Sequence, residues 1–208
     1  MRKLAILLLL SANHAFAQNS SASWDMGAWF AGGHSVPGGT SGVGVFDAGV
    51  RLGKVLTGAH GPGLLRGSFE YAIDLVPLYE VHQSSWVYGA GFNPINLKWN
   101  FTSRERFTPY LELGGGTLFS THDVPAGTNT VNFRTHAALG IHILHEHKAG
   151  AYRGPTFEVR YEHISNAGLA SPNPGINSLQ FVIGWSHFSD CPPGAFCDHA
   201  RPVPTQKP

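Results

Sequence analysis

Residues 157–165 read FEVRYEHIS, and along this stretch apolar and charged side chains alternate. Successive side chains of a β-strand point to opposite faces, so an alternation with a period of two is typical of an extended strand. The apolar row consists of Phe157, Val159 and Tyr161, and the charged residues between them share the other face. The stretch therefore predicts a strand that lies between an apolar and a polar environment.

The same alternation recurs along most of the chain. Further apolar rows begin at Phe46, Phe69, Ile95, Leu111, Phe133 and Leu179. Together with the segment 24–34, the pattern predicts eight strands. They are expected at residues 24–34, 44–55, 64–78, 86–101, 107–121, 131–146, 153–165 and 177–188.

Segments with turn chemistry separate these strands, among them Pro37-Gly38-Gly39 and residues 58–63, 102–106, 125–129 and 149–155. The pattern contains no amphipathic helix that could connect parallel strands, so an antiparallel meander is expected.

Either face of such a sheet could be buried. In a soluble sandwich the apolar rows would meet in a core, whereas in a membrane barrel they face lipid and the charged rows fill the lumen. Four features favour an all-β, eight-stranded antiparallel outer-membrane β-barrel. They are an export signal at the N-terminus, 26 glycines, 12% aromatic residues and charges at the strand centres. We expect the charged residues to pair inside it as structural groups. They are Glu70, Asp74, Glu112, Arg134, Glu158 and Arg160.

The first 17 residues resemble a secretory signal peptide. A basic end at Arg2 and Lys3 precedes an apolar run, and Ala15-Phe16-Ala17 is a small-residue cleavage site. The apolar run is shorter than the roughly 20 residues that a spanning helix needs. We therefore expect a signal peptide at 1–17, a barrel at 18–188, a C-terminal tail at 189–208, and export to the bacterial outer membrane.

The tail contains both cysteines of the chain, Cys191 and Cys197. In an exported protein they could form a local disulfide or remain two free thiols. The charged residues make up 13% of the chain with a formal net charge of +1 and form no basic stripe, so a nucleic-acid partner is not expected. His145 and His147 share a strand face, but no third ligand follows at a recognisable spacing, so we expect no metal site.

The candidate chemistry lies between residues 157 and 178. His163 and Ser165 are two residues apart on a strand, so both share the apolar face, where polar groups are costly unless they pair or serve a function. The loop that follows is rich in Asn, Gly and Pro. Asn166, Asn173 and main-chain amides around Gly168 are candidates to stabilise an oxyanion.

The string from His163 to Leu169, His-Ile-Ser-Asn-Ala-Gly-Leu, followed by Pro172-Asn173 and Gly175-Ile176, resembles the active-site signature of the PagL-type lipid A 3-O-deacylases. The resemblance implies an outer-membrane esterase that hydrolyses the ester-linked 3-hydroxyacyl chain at the 3-position of lipid A. It also implies lipid A in the outer leaflet as substrate, and no metal or cofactor. With both termini periplasmic, the seventh strand would carry Ser165 to the outer rim.

The family's third catalytic member is a Glu, and Asn177 stands at that position here. A carboxylate orients the imidazole and stabilises the imidazolium, whereas an amide can orient the ring without offsetting its charge. The nearest spare carboxylate, Glu162, should face the lumen, because strand alternation turns it away from His163.

Two other interpretations remain. The chain could be a catalytically silent structural or interaction barrel related to the deacylases, in which residues 163–177 form only a rim strand and loop; Asn177 is the best support for this alternative. It could also be a soluble lipid-binding barrel.

Overall fold

The computed structural model of the chain describes residues 23–101, 107–147 and 151–192. The predicted signal peptide, the predicted turn at 102–106, Cys197 and all but the first residues of the tail lie outside the described residues. Within the described ranges, the chain has no helix of the length and apolar character that crossing a membrane requires.

The described residues form a closed antiparallel β-barrel of eight long strands, as the sequence predicts. The strands are β1 (Trp24–Ser35), β2 (Gly44–Val55), β3 (Gly67–His82), β4 (Trp86–Phe101), β5 (Phe107–Ser120), β6 (Val131–Ile143), the two-residue β7 (His145–Glu146), β8 (Tyr152–Ser165) and β9 (Ile176–Ser189). Each long strand pairs with its neighbour in the chain. β6 pairs directly with β8, and β1 pairs with β9 to close the barrel.

The third strand departs most from the predicted limits of 64–78. Its start moves to Gly67 because Gly63–Leu65 forms a 3-10 turn instead. Its end moves to His82 because the pairing with β4 continues beyond a register shift between Val76 and Tyr79. Such a bulge adds a residue and reverses the alternation, so the apolar Tyr79 points inward. The sixth strand also ends earlier than predicted, at Ile143.

The apolar rows face outward. Leu97, Leu113 and Phe181 are 40%, 63% and 53% exposed, and Phe69 is half-buried on the same surface. This arrangement confirms the membrane-barrel pattern and excludes a soluble fold with these side chains in a shared core.

The charged rows fill the lumen, which in an eight-stranded barrel is just wide enough for side chains. The six predicted lumen residues are all buried. They pair partly with each other and partly with three other charged residues of the lumen, Arg51, Lys98 and Glu162. The pairs are Arg160–Glu158 at 2.8 Å, Arg51–Asp74 at 2.8 Å, Arg51–Glu112 at 2.6 Å, Lys98–Glu70 at 3.4 Å and Arg134–Glu162 at 2.6 Å.

One end of the barrel carries the loops after β1, β3, β5 and β8, which span residues 36–43, 83–85, 121–130 and 166–175. We call this end the distal rim. At the other end, beyond β9, Cys191 is disulfide-bonded. The candidate site lies on the distal rim, where β8 ends and β9 begins.

Candidate active site

His163 and Ser165 lie at the end of β8 and point to the outside of the barrel. Both are half-buried, and Ile164 between them is fully buried against the interior. Asn177 is the cross-strand partner of His163 on β9, so its side chain emerges on the same outer face. The three predicted catalytic residues are therefore brought together by strand alternation and by the register of one strand pair.

A continuous chain of hydrogen bonds joins the three side chains. Asn177 Oδ1 lies 2.6 Å from His163 Nδ1, and His163 Nε2 lies 3.0 Å from Ser165 Oγ. An amide oxygen can only accept, so Nδ1 donates to it and carries the ring proton. This leaves the lone pair of Nε2 for the Ser165 hydroxyl, which donates to it. The geometry thus matches that of a serine nucleophile with its general base.

Asn166, the first residue of the β8–β9 loop, is buried and organises that loop. Its Oδ1 accepts the Gly168 N–H at 2.9 Å, and its amide nitrogen donates to Ala170 O at 3.0 Å. An Asn side chain that bonds the main chain two residues on is a common turn element. These bonds occupy the Asn166 side chain and the Gly168 amide, two of the predicted oxyanion donors.

Asn173 differs from Asn166 in that its side chain is exposed. Its Oδ1 accepts the Asn166 N–H at 3.1 Å, which fixes the orientation of the amide. Its amide nitrogen donates to no described residue. Of the three predicted oxyanion residues, Asn173 therefore keeps a donor free for a ligand.

The surface around Ser165 is largely apolar. Phe133 of β6 is the cross-strand neighbour of Ser165, and Thr135 is that of His163. Tyr161, two residues before His163, is 44% exposed, and Leu169 at the loop tip is 78% exposed. An apolar surface beside a nucleophile suits a substrate with a hydrocarbon chain.

Glu162 takes no part in this outer site, as strand alternation predicts. It is fully buried in the lumen, where Arg134 and Tyr79 both bond its carboxylate at 2.6 Å. Among the described residues there is no group of three His, Cys, Asp or Glu side chains arranged to hold a metal ion.

The β1–β2 loop is the part of the site that sequence reasoning missed. The Val36 N–H donates to Asn177 O at 2.7 Å, and the Thr40 N–H donates to Gly175 O at 2.8 Å. The sequence marks residues 37–39 as a turn, but it carries no signal that this turn folds onto β9.

Comparison with known proteins identifies relatives of this barrel. The model of the lipid A 3-O-deacylase (PagL) family matches residues 65–186, a range that includes β8, the β8–β9 loop and Asn177. The crystal structure of the outer membrane enzyme PagL superimposes with a TM-score of 0.52 at 20% identity, over 77% of this chain and 97% of that chain.

Two further solved structures are less similar. Neisserial surface protein A aligns with a TM-score of 0.46 at 12% identity, over 80% of this chain and 96% of its own. OprG from Pseudomonas aeruginosa aligns with a TM-score of 0.43 at 10% identity, over 81% and 96%. A search of curated protein sequences gave no match.

Proposed function

Because the chain belongs to the lipid A 3-O-deacylase (PagL) family, we propose that it is an outer-membrane esterase that removes the acyl chain ester-linked at the 3-position of lipid A. The substrate would be lipid A or lipopolysaccharide in the outer leaflet. The distal rim would then face the cell exterior, which brings Ser165 to the level of the lipid A acyl esters.

The observation that carries this proposal is the hydrogen-bonded chain from Asn177 through His163 to Ser165 on the outer face of the barrel. In a membrane barrel that face meets lipid. A nucleophile and base placed there can act on a substrate that never leaves the membrane.

The proposed reaction is acyl transfer through Ser165. His163 Nε2 takes the hydroxyl proton as Ser165 Oγ attacks the ester carbonyl, and the imidazolium then returns the proton to the departing sugar oxygen. Water, activated by His163, hydrolyses the acyl-enzyme and releases the 3-hydroxy fatty acid. The exposed Asn173 amide is the proposed oxyanion donor, and the reaction requires no metal or cofactor.

A catalytically silent barrel is the second candidate, and Asn177 favours it. An amide at this position provides no negative charge to stabilise the imidazolium that forms during the reaction.

Incubation of the purified, refolded protein with lipid A, followed by mass spectrometry of the lipid, tests the proposal. Loss of one 3-hydroxyacyl chain is expected for the wild type, and no loss for Ser165→Ala or His163→Ala. A folded wild-type barrel that leaves lipid A intact would support the silent-barrel alternative. Undiminished release by Ser165→Ala would refute the serine mechanism.

A further inference from the structure

The β1–β2 loop is hydrogen-bonded to Asn177 and to Gly175, two residues before it. The main-chain oxygen of Asn177 accepts the Val36 N–H at 2.7 Å, and the nearby Gly175 O accepts the Thr40 N–H at 2.8 Å. The loop is itself closed at its base, where Ser35 and Val43 exchange hydrogen bonds through Ser35 N and Ser35 Oγ, at 2.8 Å and 3.0 Å. The start of β9 is thus docked against a preorganised loop.

Two glycines flank the His163–Asn177 pair. A Cβ at Gly38 would lie 2.8 Å from Asn177 Nδ2, and a Cβ at Gly175 would lie 2.9 Å from His163 Cε1. Both distances are shorter than real Cβ contacts, so a side chain at either position would displace its neighbour. Both glycines have positive φ values, +107° and +66°, which L side chains rarely adopt.

An amide triad depends on its orientation in a way that a carboxylate triad does not. The two oxygens of a carboxylate are equivalent, so rotation by half a turn changes nothing. Rotation of the Asn177 amide would present Nδ2 to His163 Nδ1, which would then have to accept. The ring proton would move to Nε2, where it would prevent the imidazole from taking the proton of Ser165.

We propose that residues 36–40 of the β1–β2 loop belong to the catalytic site and that Gly38 is a positioning residue for Asn177. By leaving room for Nδ2, Gly38 allows the planar amide to keep Oδ1 directed at His163 Nδ1. This inference rests on the proposed esterase function. It assigns a role to a segment that lies outside the range matched by the family model, residues 65–186.

Gly38→Ala tests the contact, and Gly42→Ala is its matched control. Gly42 lies in the same loop with a positive φ of +72°, but a Cβ there would meet no atom within 4 Å. Both variants place a side chain at a positive φ, and only Gly38→Ala adds a contact with Asn177; the Asn177→Ala background separates this contact from the backbone strain at Gly38. Folding of each variant is verified by circular dichroism, and kcat and KM are measured for release of the 3-hydroxy fatty acid.

We expect Gly38→Ala to lower kcat by about tenfold to a hundredfold, because misplacement of a catalytic group by about 1 Å can lower the rate by up to about a hundredfold. KM should not change, and Gly42→Ala should resemble the wild type. In an Asn177→Ala background, Gly38→Ala should have no further effect on kcat, since the amide that the added methyl group would displace is absent. Equal rates for Gly38→Ala and Gly42→Ala, or the same loss from Gly38→Ala in both backgrounds, would overturn the proposal.

A measurement independent of activity separates this inference from the esterase function. In ¹⁵N spectra of the imidazoles, His163 should show a single tautomer with the proton on Nδ1 in the wild type and in Gly42→Ala. Gly38→Ala should show a mixture of tautomers. If the wild type does not cleave lipid A but these spectra differ as expected, the positioning role stands and the esterase function fails. Identical spectra for all three proteins would overturn the positioning role.

Discussion

Asn177 gives the site the geometry of a catalytic triad without its negative charge. Its Oδ1 is 2.6 Å from His163 Nδ1, close enough to orient the ring. What the amide lacks is the charge that would stabilise the imidazolium in the proposed reaction, when Ser165 would lose its proton. The orientation of the His163 ring and the charge beside it can be separated by the substitution Asn177→Asp, because Asp has the same shape as Asn.

Asn177→Asp should raise kcat by about tenfold or more, since it adds a charge to an existing geometry. The carboxylate also favours the charged imidazole, so the acidic limb of the rate–pH profile should move to higher pH. Asn177→Ala should lower kcat, but by less than Ser165→Ala, because the nucleophile survives. Rates of fatty acid release against pH measure all three effects, and identical profiles for the wild type, Asn177→Asp and Asn177→Ala would remove this side chain from the site.

Asn173→Asp removes the proposed oxyanion donor and places a negative charge in its position. The substitution keeps an oxygen for the Asn166 N–H, which lies 3.1 Å away, but replaces the exposed amide nitrogen by a negatively charged oxygen. We expect kcat to fall about a hundredfold to a thousandfold, the usual cost of losing an oxyanion donor.

Asn129→Asp is the control for this substitution. Asn129 Oδ1 also accepts a main-chain N–H on the distal rim, from Thr130 at 2.9 Å, and lies in a different loop. The Asn129→Asp variant should release the fatty acid at the rate of the wild type. If Asn173→Asp is equally active, the oxyanion must be held by another group.

At the residue scale, the sequence predicted the grouping of His163, Ser165 and Asn177 because it depends on local alternation and one strand register. It could not predict that Asn166 and Gly168 would use their donors within the loop, since that follows from how the loop folds. The closeness of Gly38 to Asn177 was also hidden, because it brings together a loop and a strand that are far apart in the chain. The catalytic roles of these residues stay predictions.

At the scale of elements, alternation predicted strands well wherever the period of two is unbroken. It misjudged β3, where a bulge near Pro77 reverses which side chains point inward. A bulge shows in sequence only as a lost alternation, which is also how a strand end looks. The barrel strands also depend on glycines that make room for large lumen side chains, as at Gly140 below the ring of Tyr110.

Gly140→Ala should destabilise the barrel by about 1–3 kcal/mol, because its Cβ would overlap the Tyr110 ring and overpacking of this kind has that cost. The displaced ring would also strain the 2.6 Å hydrogen bond from Tyr110 to Glu158. Gly32→Ala is the matched control, since its Cβ would meet only Phe46 at 3.9 Å. Urea unfolding in detergent measures both free energies, and equal values would show that the lumen adapts to the added methyl group.

At the scale of the whole molecule, the barrel wall separates two sets of polar groups. The lumen holds buried charges that are paired with each other, and the outer face holds the candidate site. Residues 162 and 163 are neighbours in sequence but lie on opposite sides of the wall. This separation follows from strand alternation, and so it was predictable once the barrel was chosen over a sandwich.

Glu162→Gln tests whether the two sides act independently. Glu162 accepts bonds from Arg134, Tyr79 and Gln180, at 2.6, 2.6 and 3.1 Å. Without its charge, the nearest carboxylate left to Arg134 among the described residues would be that of Asp47, at 3.7 Å. Breaking a buried ion pair from one side costs roughly 3–5 kcal/mol, so the free energy of unfolding should fall by an amount of that order.

The rate of fatty acid release should nevertheless be that of the wild type wherever Glu162→Gln is folded, because Glu162 is fully buried on the far side of the wall from His163. Ser165→Ala should do the opposite, losing the activity and keeping the stability. Parallel measurements of unfolding free energy and kcat distinguish the two patterns. Loss of kcat in a fully stable Glu162→Gln barrel would identify Glu162 as the acid that Asn177 does not provide, and the separation of residues 162 and 163 by the barrel wall would be wrong.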